Sequence, residues 1–219
     1  MMRFSTQINY LLFIICPLYA DAQQPSNNYL NHRANDYISE ASSEGDIRAE
    51  NSRSDTIDIT DYDIHLNITD FTNQTISGYC TVSFQSKLDN VSEILLDLLA
   101  LTVDSVVQDG QQLSFTHVNE LLTITLSQTL NTADSTKITV YYHGNPVIDA
   151  SGWGGFYFSG DYAYNLGVGF AADPHVYGRV WFPCFDNFVE RSTYHFSITT
   201  ENTKMALCNG EFISGTDNA

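Results

Sequence analysis

The chain has 219 residues and carries 26 acidic against 9 basic side chains, a formal charge of −17. An acidic surface of that size repels nucleic acid and anionic lipid, which excludes nucleic-acid partners and electrostatic membrane docking. Apolar residues make up 43% of the chain, enough to build a buried core, so the charge belongs to a folded protein and not to an acidic disordered tail.

The first residues, "MMRFSTQINYLLFIICPLYADAQQ", open with one positive charge at Arg3 and continue with an apolar run from Tyr10 to Ala20. Ala20-Asp21-Ala22 then offers a small-residue cleavage site, so residues 1–22 read as an export leader and the mature protein as secreted or periplasmic. The apolar run is too short to span a bilayer, which takes about 20 residues, and no later segment supplies a membrane span. Bulky Ile15 before Cys16 argues against a lipid-modified cysteine. Residues 23–54 have scattered apolar positions and no period; such a segment cannot offset its ordering entropy and reads as a flexible linker, with a short helix near Ile47 as the alternative.

From Asp55 onward the hydrophobic period is two. Tyr62, Ile64, Leu66 and Ile68 alternate with Asp61, Asp63, His65 and Asn67, and Ile76, Gly78, Cys80, Val82 and Phe84 alternate with polar or smaller neighbours. Both patterns predict half-buried strands, and the same alternation returns in Leu122, Ile124 and Leu126 and in Ile138, Val140 and Tyr142. The leucine-rich "VSEILLDLLALTVDSV" is interrupted by Asp97 and Thr102 and predicts two strands joined near Ala100, not a helix. "QDGQ" at 108–111 is a hairpin signal, because Asp-Gly tolerates positive φ; Ser159-Gly160 is a weaker one. Residues 55–219 therefore predict one antiparallel, all-β domain.

Catalytic signatures are missing from this domain. No H-E-x-x-H occurs, and His117 with Glu120, the nearest candidate, lies beside a turn in a strand-rich region, where the one-face spacing of a zinc helix cannot arise. No G-x-S-x-G elbow or phosphate loop is present. His65 and His195 sit in strands and read as surface or satisfied core histidines. Cys80, Cys184 and Cys208 remain after the leader; their wide spacing argues against a zinc knuckle and for structural roles, with their pairing left open. Cys184, between Phe182-Pro183 and Phe185, lacks the electropositive setting of a nucleophile. Asp186 stands out: it lies in the aromatic stretch 179–200 with Arg179 before it and Arg191 after it, and a half-buried carboxylate needs such a partner. Sequons at Asn67, Asn73 and Asn90 matter only in a host that glycosylates them.

"GRVWFPCFDNFVERSTYHFSI" resembles the R-x-x-F-P-C-x-D segment of the aminopeptidase N family of zinc metallopeptidases, with Arg179, Phe182, Pro183, Cys184 and Asp186 in register. "DYDIHLNITDFTNQTISGYCTVSFQ" resembles the opening strands of that family's N-terminal domain, and "YYHGNP" followed by "GWGGFYFSG" resembles later segments in the same order. The resemblance implies a sandwich-like or saddle-like β domain that packs on the enzyme's own catalytic domain and is itself non-catalytic. Peptide substrates and zinc would then belong to the parent enzyme, with no cofactor in this fragment. The G-x-M-E-N strand, H-E-x-x-H and the downstream glutamate would lie beyond Ala219. Where the family places a Gln or Glu that holds the substrate's α-amine, this chain reads "GFAADPHVYGR", so Asp173 is the one candidate for that contact, against a plain turn role before Pro174. Asn187-Phe188 replaces the more usual Glu-Pro and marks a divergent branch. On the residues alone, a competing reading is a stand-alone β-sandwich binding module that stacks a carbohydrate or holds a protein ligand on Trp153, Phe156, Tyr157, Tyr162 and Tyr164.

Overall fold

The period-two segments are strands in the computed structural model, which describes residues 2–6, 53–201 and 203–216. In chain order they are β1 (Met2–Thr6), β2 (Ile57–Asp70), β3 (Thr75–Ser86), β4 (Val91–Asp97), β5 (Thr102–Gln108), β6 (Gln111–Gln112) and β7 (Phe115–Val118). β8 (Leu121–Leu130), β9 (Ser135–Gly144), β10 (Gly154–Ser159), β11 (Tyr162–Gly169), β12 (Thr193–Thr200) and β13 (Glu211–Gly215) follow, with one 3-10 turn at Gly178–Val180. An eight-stranded sheet runs β13-β1-β12-β2-β3-β9-β5-β6, a three-stranded sheet runs β4-β8-β7, and β10-β11 form a separate hairpin. The pairings are antiparallel with one exception: β12 lies parallel to β2, Phe196 opposite Ile64. Among the described residues no helix is long and apolar enough to cross a membrane.

The inward faces close on one another. Ile64, Cys80, Val82, Ile138, Val140 and Val106 from the large sheet and Leu96, Leu122 and Ile124 from the small one are inaccessible and share one cluster. At about 1.5–3 kcal/mol for each buried aliphatic side chain, this two-layer core is what offsets the chain's ordering cost. The leucine-rich segment divides as its interruptions predict: β4 and β5 belong to different sheets, and Ala100 between them has φ +59°. The chain crosses the sandwich there. The "QDGQ" turn holds Asp109 and Gly110 at φ 50° and 79°, the left-handed pair that a two-residue hairpin needs. At the other signalled turn the loop is Gly160-Asp161, between the paired residues Ser159 and Tyr162.

Gly78 answers a close approach. It pairs with Leu66 across β2–β3, and a Cβ there would stand 2.0 Å from the His65 carbonyl oxygen. The expected leader and linker fall outside the described residues except at their ends, and so does the alternative helix near Ile47. At one end, Met2–Thr6 pair with β12 and Met2–Ser5 with β13. At the other, Arg53 grips Asp97 with both guanidinium arms, at 2.8 and 3.1 Å.

Candidate functional site

Residues 178–186 leave the sheets and run across the end of the core. Their backbone is tied to the small sheet: the Asp97 N–H donates to the Cys184 carbonyl at 2.6 Å, the Cys184 N–H to the Asp97 carbonyl at 3.1 Å, and the Leu99 N–H to the Arg179 carbonyl at 2.7 Å. The large sheet holds the same segment through Tyr62, whose hydroxyl accepts the Phe185 N–H at 3.0 Å. The aromatic residues complete the attachment. Phe182 meets Tyr62 edge-on with centroids 5.5 Å apart, Tyr194 stacks on Tyr62 at 5.3 Å, and Trp181 bridges Phe182 and Phe196. Phe182, Phe185 and Phe196 are buried. The aromatic stretch is therefore core or packed against it, except for Phe188, which is 70% exposed.

Inside that core runs a chain of charges. Asp186, its side chain only 7% exposed, takes Arg179 Nη1 at 2.8 Å and the Gly178 and Arg179 N–H groups at 3.0 and 3.3 Å. Arg179, not Arg191, is the partner, and its Nε also donates to Glu120 at 3.2 Å. The Asp186 N–H donates to Asp97 Oδ2 at 3.0 Å, and Asp97 holds Arg53, whose guanidinium lies 4.6 Å over the Phe185 ring. Burial pushes the Asp186 carboxyl up from the ordinary aspartate value, against the pull of Arg179 and the two N–H groups. Burial also opposes the Arg179 charge, but Asp186 and Glu120 outweigh it and leave the guanidinium above its usual value. Every charge in the chain thus has a partner, and the arrangement fixes a loop; no group in it is poised as a nucleophile. Burial holds the Cys184 thiol far above its usual range.

A second cluster ties the 149–154 loop to the 169–177 loop, which carries Asp173. Asp149, buried at the base of the β10–β11 hairpin, accepts the Ser151 N–H at 3.0 Å, the Ser151 hydroxyl and the Ala171 N–H at 2.9 Å. One carboxylate thereby joins the 149–154 loop to the 169–177 loop, and these hydrogen bonds, the Ser151 hydroxyl foremost, hold it below the usual aspartate value. Trp153 and Phe170, 57% and 56% exposed, stack with centroids 6.3 Å apart, and His175 meets Phe170 edge-on. Asp173 itself is exposed between Phe170 and His175 in sequence. Gly154 permits the hairpin base: at φ 122° its Cα lies so close to the partner strand that a Cβ would meet the Val168 carbonyl oxygen at 2.0 Å.

The aromatic platform of the binding-module reading does not assemble. Phe156 is buried in the core, while Tyr157 and Tyr164 lie face to face at 5.0 Å and so cover each other's rings. Tyr162, 74% exposed, stands at the hairpin tip opposite Ser159.

The donor set does not fit a metal. Among the described residues no three His, Cys, Asp or Glu side chains are placed to hold an ion. His117 is occupied by the Leu98 carbonyl at 2.8 Å and Glu120 by Arg179, so that sequence candidate is dispersed. His65 stacks on Tyr79 at 4.3 Å and contacts Asp63, and His195 contacts Asp61. Cys80, Cys184 and Cys208 are free thiols, the first two buried.

Arg53, Asp97 and Asp149 carry much of this architecture and escaped the sequence reading. Asp149 had a local signal, since an aspartate two residues before a serine favours a side-chain-capped turn. Asp97 and Arg53 had none, because their partners are distant in sequence.

Residues 59–219 match the peptidase M1 N-terminal domain. No curated protein matches the chain. Among solved structures, the M1 zinc metallopeptidase from Deinococcus radiodurans superposes with a TM-score of 0.66 at 23% identity, over 74% of this chain and 37% of that one. A variant of it bound to a Tyr-Ser-Ala substrate gives a TM-score of 0.65 at 23% identity, with the same coverage. The chain thus spans little more than a third of the length of these structures. With the family match running from the first core strand through the Arg179–Asp186 segment to the last residue, the chain belongs to the peptidase M1 N-terminal domain family.

Proposed function

We propose that this domain is the non-catalytic N-terminal part of a secreted zinc-dependent aminopeptidase that removes N-terminal residues from peptides. In that reading it packs on its own catalytic domain and shapes one wall of the substrate cleft. The observation that carries the reading is the pairing of a rigid, ion-braced loop at 178–186 with an exposed aromatic rim. Trp153 and Phe170 stand in the open on loops that Asp149 ties together, which is the form of a surface built to be covered. Zinc and the hydrolytic machinery belong to the remainder of the enzyme, since among the described residues no three donor side chains converge.

Asp173 is the residue of this domain that reaches substrate. A peptide's free α-amine is cationic at neutral pH, and an exposed carboxylate on the rim selects it with a charge-assisted hydrogen bond of about 1.5–3 kcal/mol. In the complete enzyme Asp173→Asn should raise KM for free-amine peptides and narrow their advantage over N-acetylated analogues by about tenfold or more, with the melting temperature unchanged. Unaltered discrimination at unaltered stability would remove Asp173 from the site and leave it the turn residue before Pro174.

A further inference from the structure

The polypeptide enters the domain through its charged core. Arg53 lies ahead of residues 59–219, the span that matches the family, in a part that composition alone assigns to the linker. Its guanidinium nevertheless holds both Asp97 oxygens, at 2.8 and 3.1 Å, with both side chains largely buried, and lies over the Phe185 ring. Residues 53–56 are fixed from a second side. The Thr56 N–H donates to the Arg53 carbonyl at 3.1 Å, the Lys87 N–H to the Thr56 carbonyl at 2.9 Å, and Lys87 Nζ to the Ser54 carbonyl at 2.7 Å. The guanidinium is thus presented to Asp97 with little conformational freedom left to lose, which sets the pair apart from solvated surface pairs that contribute almost nothing.

Asp97 passes that hold on. Its backbone exchanges hydrogen bonds with Cys184, its Oδ2 takes the Asp186 N–H, and Asp186 Oδ1 takes the Gly178 N–H, next to the 169–177 loop that carries Asp173. We propose that Arg53 is a latch, a positioning residue through which the polypeptide in front of the domain sets the 178–186 loop and, with it, the wall of the cleft. The physical basis is a carboxylate that must not be stranded. Among the described residues Arg53 is the one cation in an ion pair with Asp97, while Asp186 and Glu120 share Arg179. Without Arg53, the largely buried Asp97 carboxylate turns toward solvent or toward Arg179. Either move surrenders the Asp186 N–H and slackens the turn that Asp186 closes. The site thereby depends on a residue ahead of the family's matched span. Its bearing on catalysis rests on the reading of the domain as part of an aminopeptidase, whereas the latch itself can be measured without substrate.

The test is amide hydrogen exchange, read residue by residue, on the 1–219 chain and its Arg53→Met variant, which keeps an apolar stem against Phe185 and loses the fork. The Asp186 and Gly178 amides should exchange about tenfold or more faster in the variant, while β3 and β9 keep their protection and report an intact fold. Arg53→Met combined with Asp97→Asn should exchange there no faster than Asp97→Asn alone, because both break one link. Arg191→Met, which removes an exposed arginine from the same aromatic stretch, should match wild type. If Arg53→Met unfolds the chain, Arg53→Lys decides: it keeps the charge without the fork or the flat contact, and should speed the same amides by about threefold or more. In the complete enzyme Arg53→Met should raise KM for free-amine peptides about threefold or more and leave zinc content unchanged. Wild-type protection of Asp186 and Gly178 in the folded Arg53 variant, additive acceleration in the double variant, or loosened amides with an unchanged KM would each overturn the proposal. A complete enzyme that releases no N-terminal residues would strike the proposed function instead, and the exchange rates alone would then decide the latch.

Discussion

Replacing Asp186 probes the brace at its most buried charge. Asp186→Ala removes the acceptor of three hydrogen bonds, those from Gly178 N–H, Arg179 N–H and Arg179 Nη1. At about 1 kcal/mol net for each bond the loss approaches 3 kcal/mol. Two effects reduce it: the desolvation cost of the carboxylate disappears, and Arg179 keeps Glu120, so its charge is not left alone. The expected destabilisation is about 2–3 kcal/mol, read as a lower urea midpoint or a melting temperature lower by about 5–10 °C. The pH dependence adds a signed check. A carboxyl whose folded pKa is raised adds stability that is fully present below its unfolded value, near 3.8, and that is lost as pH rises through the folded value. Lowering the pH from neutral toward 3.8 should therefore favour wild type over Asp186→Asn, which has no proton to bind there. Equal urea midpoints for wild type and Asp186→Ala would refute the brace, and a wild-type advantage that shrinks on acidification toward 3.8 would refute the upward push of burial on the Asp186 carboxyl.

Gly78→Ala forces a methyl group onto the His65 carbonyl and should cost about 2–4 kcal/mol in urea unfolding, since backbone must move on the central β2–β3 pair. Asp149 is the opposite pH case from Asp186: its carboxyl is held low, so its contribution is present above 3.8 and lost as pH falls through the folded value below that. Trp153 fluorescence should accordingly report a loosening of the 149–154 loop only below pH 3.8, and Asp149→Ala should show the loosened signal at neutral pH. Native protein at pH 8 should leave Cys80 and Cys184 unreacted with a thiol reagent and label Cys208 slowly, because Cys80 and Cys184 are buried and burial holds their thiols well above the usual value, while it pushes the partly exposed Cys208 up to about 11; denaturant should release all three.

The sheets were legible because their signal is local. Alternation in Tyr62–Ile68 and Ile76–Phe84 marks the buried face directly, and Asp-Gly marks its hairpin, since each depends on neighbours a few residues away. The division of the leucine-rich segment could be read from Asp97 and Thr102, which no buried helical stripe would tolerate. Asp97 appeared only as an interruption, however, and its role between Arg53 and the Asp186 N–H depends on residues 44 and 89 positions away. The parallel pairing of β12 with β2 was hidden for the same reason: period two fixes a strand's faces and says nothing of its direction. The five aromatics at 153–164 illustrate the limit differently. Their spacing was compatible with a shared platform, and only the hairpin register shows Tyr157 covering Tyr164 while Phe156 turns inward.

Zinc content and peptide hydrolysis, measured side by side on the complete gene product and on the 1–219 chain, test the central claim most directly. The account predicts stoichiometric zinc and release of N-terminal residues from the complete protein, and neither from the 1–219 chain, in whose described residues no three His, Cys, Asp or Glu side chains converge. Stoichiometric zinc with hydrolysis by the 1–219 chain alone, or a complete product that binds no zinc and cleaves no peptide, would contradict it.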